Sequence, residues 1–173
     1  MEAALKVIYS ETIEGLSTRK VSGVANVNLA AIHYHHRSKD GMLIDLSRYV
    51  LNNYVTPDVF EGLEANEDPS IVIETLLKRV FKLYKKRPDA IVTALYLWLQ
   101  GLRSRRIKDI FKSFQSDKLL QLEEALAVSM SKRRARKIAE RVLTYLSGWL
   151  FETVVDEVLP DQTLIEEVAR LLV

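Results

Sequence analysis

Residues 25 to 36 read ANVNLAAIHYHH and contain every histidine of the chain, His33, His35 and His36, with Tyr34 among them. Imidazole ligates metals, exchanges protons, and hydrogen-bonds as donor or acceptor. His33 and His36 are three residues apart, close enough on a helix to share an ion. No cysteine accompanies them, however, and the nearest acid is Asp40. A general base needs an orienting partner and a substrate pocket, whereas this stretch reads as one short convex helix. No metal site, cofactor or enzymatic activity is expected. The remaining chemistry is that of a polar surface laid against a partner, with His36 instead packed beneath its own helix.

Composition narrows the class of that partner. The chain has 173 residues, 48% of them hydrophobic, and a formal net charge of +2, so charge must be read locally. The absence of cysteine removes disulfides, thiolate metal sites and thiol nucleophiles, and a cytoplasmic protein is expected. The start of the chain lacks the form of a signal peptide. The longest apolar run, Ile91 to Leu99, is far short of the roughly 18 residues that span a bilayer, and no membrane partner is expected. Apolar residues recur every three or four positions almost throughout, which predicts an all-α fold.

Local signals divide this helical chain. Ala3, Ala4, Val7 and Ile8 predict a first helix ending between Ser10 and Glu14. Ser17 can cap a second, with Val21 and Val24 facing inward. Asn26 tolerates the left-handed conformation, so Ala25-Asn26-Val27 reads as a sharp turn, after which Asn28 caps a third helix running toward His36. Ser38 opens a fourth carrying Met42, Leu43 and Leu46. The acidic segment Thr56 to Pro69, with Pro57, Gly62 and Asn66, places a domain junction, and Asp68-Pro69 begins the next helix. Further helices are expected at about 69 to 86, 88 to 102, 104 to 129 with a break near Ser116-Asp117, 132 to 158 and 162 to 173.

Two short helices joined by a tight turn, shielded by a preceding helix, form a helix-turn-helix arrangement. Residues 3 to 46 resemble the N-terminal domain of TetR-family transcriptional regulators. The resemblance lies in AALKVI, STRKVSGVANV and AIHYHHRSKDGML, and its most specific part is Thr18 to Leu43. The chain departs from the family pattern at Thr12 and Asn26, where glycine is usual, at Gly41, where an acid usually completes a capping box, and at His36, a buried aromatic position. It also lacks a basic lead-in. The resemblance implies residues 1–50 as a three-helix DNA-binding domain and 51–173 as a larger helical ligand-binding and dimerisation domain. Asn28, Leu29, Ala30, His33 and Tyr34 would face DNA, His35 and Lys39 would lie near the backbone, and Thr18 and Arg19 would grip phosphates. Leu29 and Ala30 can offer apolar contact to thymine methyls, and Asn28 or His33 can read acceptors. The alternative for each, weightier for His35 than for Leu29 and Ala30, is a solvated surface residue.

In the larger domain, helix 88 to 102 is apolar almost all round and is expected to be its buried spine. Phe81, Tyr84, Tyr96, Trp98, Phe111, Phe114, Tyr145 and Trp149 could line a ligand cavity or be ordinary core, with Thr93, Gln100 and Arg103 as polar anchors. Helix 132 to 158 carries Ile138, Val142, Tyr145, Leu146, Trp149, Leu150, Val154 and Val155, a stripe too broad for one neighbour. The last helix adds Leu164, Ile165, Val168, Leu171 and Leu172. By family analogy Val142, Leu146, Leu150, Val154, Leu164, Val168 and Leu172 would pair two copies through a four-helix bundle. The run KRRARK, 132 to 137, reads as a solvated face. Together these features predict a homodimeric regulator on a palindromic operator in double-stranded DNA, most simply a repressor released by an apolar or aromatic small-molecule effector. The alternative is an adaptor or ligand-binding protein that has lost operator recognition, which Gly41, His36 and the missing basic lead-in would favour.

Overall fold

The computed structural model describes residues 1–173. It contains nine α-helices and no strand: α1 Glu2–Glu11, α2 Thr18–Ala25, α3 Leu29–His36, α4 Lys39–Val50, α5 Pro69–Lys86, α6 Pro88–Gln100, α7 Arg105–Leu126, α8 Lys132–Asp156 and α9 Gln162–Leu172. The fold is all-α, and no helix is long and apolar enough to cross a membrane. Side-chain caps start many of these helices where the sequence signals them. Ser17 accepts from Lys20 N–H, Ser38 from Gly41 N–H, Ser131 from Arg134 N–H and Asp161 from Leu164 N–H. Asp68 accepts the Ser70 N–H at 2.9 Å, just ahead of Pro69 in the first turn of α5. Each such oxygen satisfies one of the backbone donors that a helix start leaves open.

The chain divides into two compact units. The first comprises residues 1–54 and 87–112, the second residues 55–86 and 113–173. In the first, α1 packs on α2 and α6, and α6 also meets α4. Leu5, Ile8, Leu16, Met42, Leu46 and Leu97 are fully buried there. An ionic cluster fastens the same helices. Arg87, at the start of α6, donates to Asp89 at 2.8 and 2.9 Å, to Glu2 at 2.9 Å and to the Tyr54 hydroxyl at 2.8 Å, with its guanidinium 4.3 Å from the Tyr54 ring centroid. Tyr49 and Tyr54 both donate to the Glu2 carboxylate. The Arg87 guanidinium holds Asp89 below the usual carboxylate range. At Glu2 burial pushes upward, but bonds from Tyr54, Tyr49 and Arg87 outweigh it and leave the carboxyl low.

In the second unit α9 packs along α5, and α8 touches both. Ile73, Leu76, Leu77, Leu122, Ala139 and Val142 are fully buried. Glu123, although buried, keeps its charge partnered by Arg136 at 3.1 Å.

The structure corrects several expectations. Helix 88 to 102 is not buried all round: α6 buries Ala90, Ile91, Thr93 and Leu97, while Trp98 and Leu99 are 41% and 51% exposed. It packs in the first unit, against α1 and α4. The break near Ser116-Asp117 is absent, because both side chains lie on an exposed face of α7. There their weak helix propensity costs only tenths of a kcal/mol each, and Leu122 and Leu126 bury the opposite face. Pro57 does not interrupt the helix, and the loop of the acidic segment is confined to residues 61–68. A π-pitched run, Leu51–Phe60, continues α4 and carries Pro57 inside it. The junction between the units falls within that run, at Tyr54 and Val55.

Candidate nucleic-acid interface

Three positive-φ residues shape the three-helix head. Thr12, at the end of α1, has φ 64° and ψ −179°. Asn26 is left-handed, φ 53° and ψ 45°, and reverses the chain between α2 and α3 as its residue type predicts. Arg37, φ 60°, ends α3 and lets Ser38 begin α4 two residues later. That tight exit explains Gly41. A Cβ there would sit 2.1 Å from the His36 carbonyl oxygen, so an acidic side chain that would close the capping box has no room.

Helix α3 has no buried residue. Leu29, Ile32 and His36 are half-buried, and Ala30, Ala31, His33, Tyr34 and His35 are exposed, Tyr34 to 82%. The ring of His35 stands edge-on to Tyr34 at 5.3 Å. Asn28 is exposed and its Oδ1 accepts the Ala30 N–H at 2.8 Å, which leaves the amide NH2 as donor toward a base acceptor. Arg19 is exposed and Thr18 half-buried at the start of α2, whereas neighbouring Lys20 is paired with Glu11. Lys39 folds back, its Nζ 3.4 Å from the Glu14 carbonyl oxygen. Val24, expected inward, is 53% exposed, and Val27 beside it is 46% exposed, so the turn presents an apolar edge next to α3. The reason is the shortness of α2: its eight residues bury only Val21 and Ser22.

His36 packs under α3 and bonds to α4. Its Nδ1 lies 2.8 Å from Asp45 Oδ2, with the imidazole 17% exposed. A carboxylate only accepts, which places the ring proton on Nδ1. No signal local to either residue announces this pair, because it spans nine positions and two helices. The histidines converge with no carboxylates on a common point: no group of three or more His, Asp or Glu side chains is arranged to hold a metal ion.

The expected pocket residues belong partly to one unit and partly to the other. Phe81 stacks edge-on to Trp149 at 4.8 Å, and Trp149 on Tyr145 at 5.6 Å, within the second unit, where Tyr84 is half-buried. Phe114 packs on Phe60 in that unit. Tyr96, Gln100 and Phe111 belong to the first unit. There a cleft of about 460 Å³ opens at the turn between α6 and α7, lined by Gly101, Leu102, Arg103, Arg105, Lys108, Asp109 and Lys112, a feature for which no aromatic pattern prepares. Of the expected dimer residues, Val142, Leu146, Val168 and Leu172 are buried in their own unit, as is Ile138, while Leu150 and Val154 are half-buried and Leu164 is exposed. The apolar surface left free on α8 and α9 consists of Tyr145, Phe151, Val155, Leu164 and Leu171.

A solved structure decides the comparison: a TetR transcription regulator from Haloarcula marismortui superposes with a TM-score of 0.82, covering 99% of this chain and 92% of its own, at 18% identity. This chain has the fold of the TetR-family regulators. The multidrug binding protein EbrR, solved with imidazole, gives a TM-score of 0.74 over 99% of this chain and 86% of its own, at 18% identity. By sequence, the chain is 23% identical over 151 residues, 86% of it and 75% of the other, to an uncharacterized HTH-type transcriptional regulator in the dhlA 5' region of Xanthobacter autotrophicus. No family model matches the chain. In that fold α2 and α3, joined at Asn26, form the helix-turn-helix pair.

Proposed function

We propose that the protein is a homodimeric DNA-binding transcriptional regulator that works as a repressor on a palindromic operator in double-stranded DNA. The observation that carries this reading is α3, read as the recognition helix of the pair, none of whose side chains is fully buried. Eight residues held by caps at one end and a His–Asp bond at the other, with every side chain at least partly exposed, are suited to entering a major groove. Asn28 and His33 supply polar reach, Leu29 and Ala30 apolar contact, and Thr18, Arg19, Tyr34, His35 and Lys39 the flanking grip.

Two copies are needed because one short helix reads too few bases to be selective, and paired heads about 34 Å apart read successive turns. The surface for pairing is the exposed stripe Tyr145, Phe151 and Val155 on α8, with Leu164 and Leu171 on α9. Gly148, which meets no neighbouring atom, leaves room on the same helix for a second backbone to approach. Release follows if a small molecule binds better to dimers whose heads are wrongly spaced, since only differential affinity shifts the population. The cluster Phe81, Tyr145 and Trp149 is the aromatic environment for an apolar effector, with Tyr84, Tyr96, Gln100 and Phe111 as further candidates. EbrR, of the same fold, is a multidrug binding protein. A cytoplasmic site of action follows from this reading.

The test is selection of duplexes from a random pool at two salt concentrations, using protein whose dimeric state is checked by sedimentation. An enriched inverted repeat is expected, lost in His33→Ala and altered in Asn28→Ser. The serine retains the capping oxygen, so it probes base contact rather than helix stability. Recovery of no motif from folded dimer would refute operator binding and favour the adaptor.

A further inference from the structure

The head holds little charge for a protein that grips phosphates. Residues 1–54 contain six basic and five acidic side chains. The other part of the first unit, residues 87–112, contains six basic and only two acidic. Five of those cations, Arg103, Arg105, Arg106, Lys108 and Lys112, lie within ten residues, and all are exposed. The acid among them is Asp109, whose contact with Arg105 is a loose 4.0 Å.

Their arrangement is linear and its base is rigid. Arg105, Lys108 and Lys112 are spaced three and four apart, along one face of α7. That row is about 10 Å long, over which a duplex displays roughly six phosphates. A single small anion would use one or two of these cations. A polyanion uses the row. The preceding turn is pinned by the Ser104 N–H bonded to the Gln100 carbonyl at 2.9 Å and by the fit of Gly101, where a Cβ would come within 2.9 Å of the Trp98 carbonyl oxygen and 3.3 Å of the Lys108 Cα. The cleft of about 460 Å³ beside it is walled by four of these cations, Arg103, Arg105, Lys108 and Lys112, with the Asp109 carboxylate among them.

Its position connects it to the head. Hydrogen bonds from Thr12 and its own backbone hold the Glu14 carboxyl low, and the charges of Lys39 and Arg103 add to them. Lys39 Nζ also reaches the Glu14 carbonyl. Arg103 thus belongs to the same end of the head as Lys39, the residue that opens α4 directly after the recognition helix.

We infer that the α6–α7 elbow is an accessory DNA-backbone site, in which Arg103, Arg105, Lys108 and Lys112 bind phosphates of the duplex that the recognition helix reads. This rests on the operator-binding reading above and adds the source of its nonspecific affinity.

The experiment measures affinity for the selected duplex against salt concentration, for wild type and two quadruple variants. One is Arg103→Ala, Arg105→Ala, Lys108→Ala and Lys112→Ala. The other removes the same charge from α8: Lys132→Ala, Arg133→Ala, Arg134→Ala and Lys137→Ala. All eight side chains are exposed, and circular dichroism checks that both variants are folded. The elbow variant is expected to select the same motif with weaker affinity, its log–log salt slope shallower by about 0.9 for each phosphate that is no longer neutralised. The α8 variant is expected to retain the wild-type slope. A wild-type slope in the elbow variant overturns the proposal, as does an equal reduction in both variants, which would reduce the effect to net charge. If wild type selects no duplex, operator binding itself fails and this site fails with it, a result distinct from either slope outcome.

Discussion

Thr12 stands in a backbone conformation, φ 64° and ψ −179°, that is almost exclusive to glycine. Its hydroxyl donates to Glu14 at 2.7 Å, an exposed bond that recovers little of the strain. A β-branched residue held there costs of order 1–3 kcal/mol. Thr12→Gly is therefore expected to stabilise the protein by about 1 kcal/mol, after the entropy that glycine adds to the unfolded chain is set against the relief. Denaturant midpoints for the two proteins check it, and an unchanged or lowered midpoint would show that the strain is absent. Asn26 is the contrasting residue. It meets the same kind of demand with a side chain that tolerates the left-handed region, so replacement by glycine there should change little.

Among the elements, α3 is the one whose placement depends least on apolar burial. His36→Ala removes its bond to Asp45 and leaves that carboxylate to Arg48, 3.9 Å away. The expected result is amide exchange several-fold faster in residues 29–36, with α5, α8 and α9 unchanged, since a partly exposed charged hydrogen bond contributes about 1 kcal/mol. Equal protection in variant and wild type would show that caps alone fix the helix. The same element shows what sequence can reveal. Ser17, Asn26, Asn28 and Ser38 act through bonds two to five residues long, and their roles are legible because residue type and position suffice. The His36–Asp45 pair, the Arg87 cluster that joins residues 85 positions apart, and the close approach at Gly41 depend on which helices meet, and no local pattern encodes that. The expected break in α7 fails for the opposite reason. A polar dipeptide weakens a helix locally, but packing of the other face decides.

At the scale of the whole molecule, acid should unfold the first unit through Asp89 and Glu2. Both carboxyls are held below their ordinary values of 3.8 and 4.5. Their stabilisation is therefore present in full above those values and is lost as pH falls through the lower folded-state values. Arg87→Met is expected to lower stability at neutral pH and to flatten the acid limb, so that wild type and variant converge once pH has fallen through the folded-state values. Curves that remain parallel throughout the acid limb would remove Arg87 as the cause.

The two units also differ in sign. Twelve basic residues face seven acidic in the first, and thirteen face sixteen in the second. The consequence concerns kinetics. On the DNA-binding proposal, the excess positive charge of the first unit draws it toward a polyanion, and the excess negative charge of the second resists the same approach. Encounters through the first unit then become more frequent than random collision allows, and the association rate, more than the lifetime of the complex, should fall as salt screens that attraction.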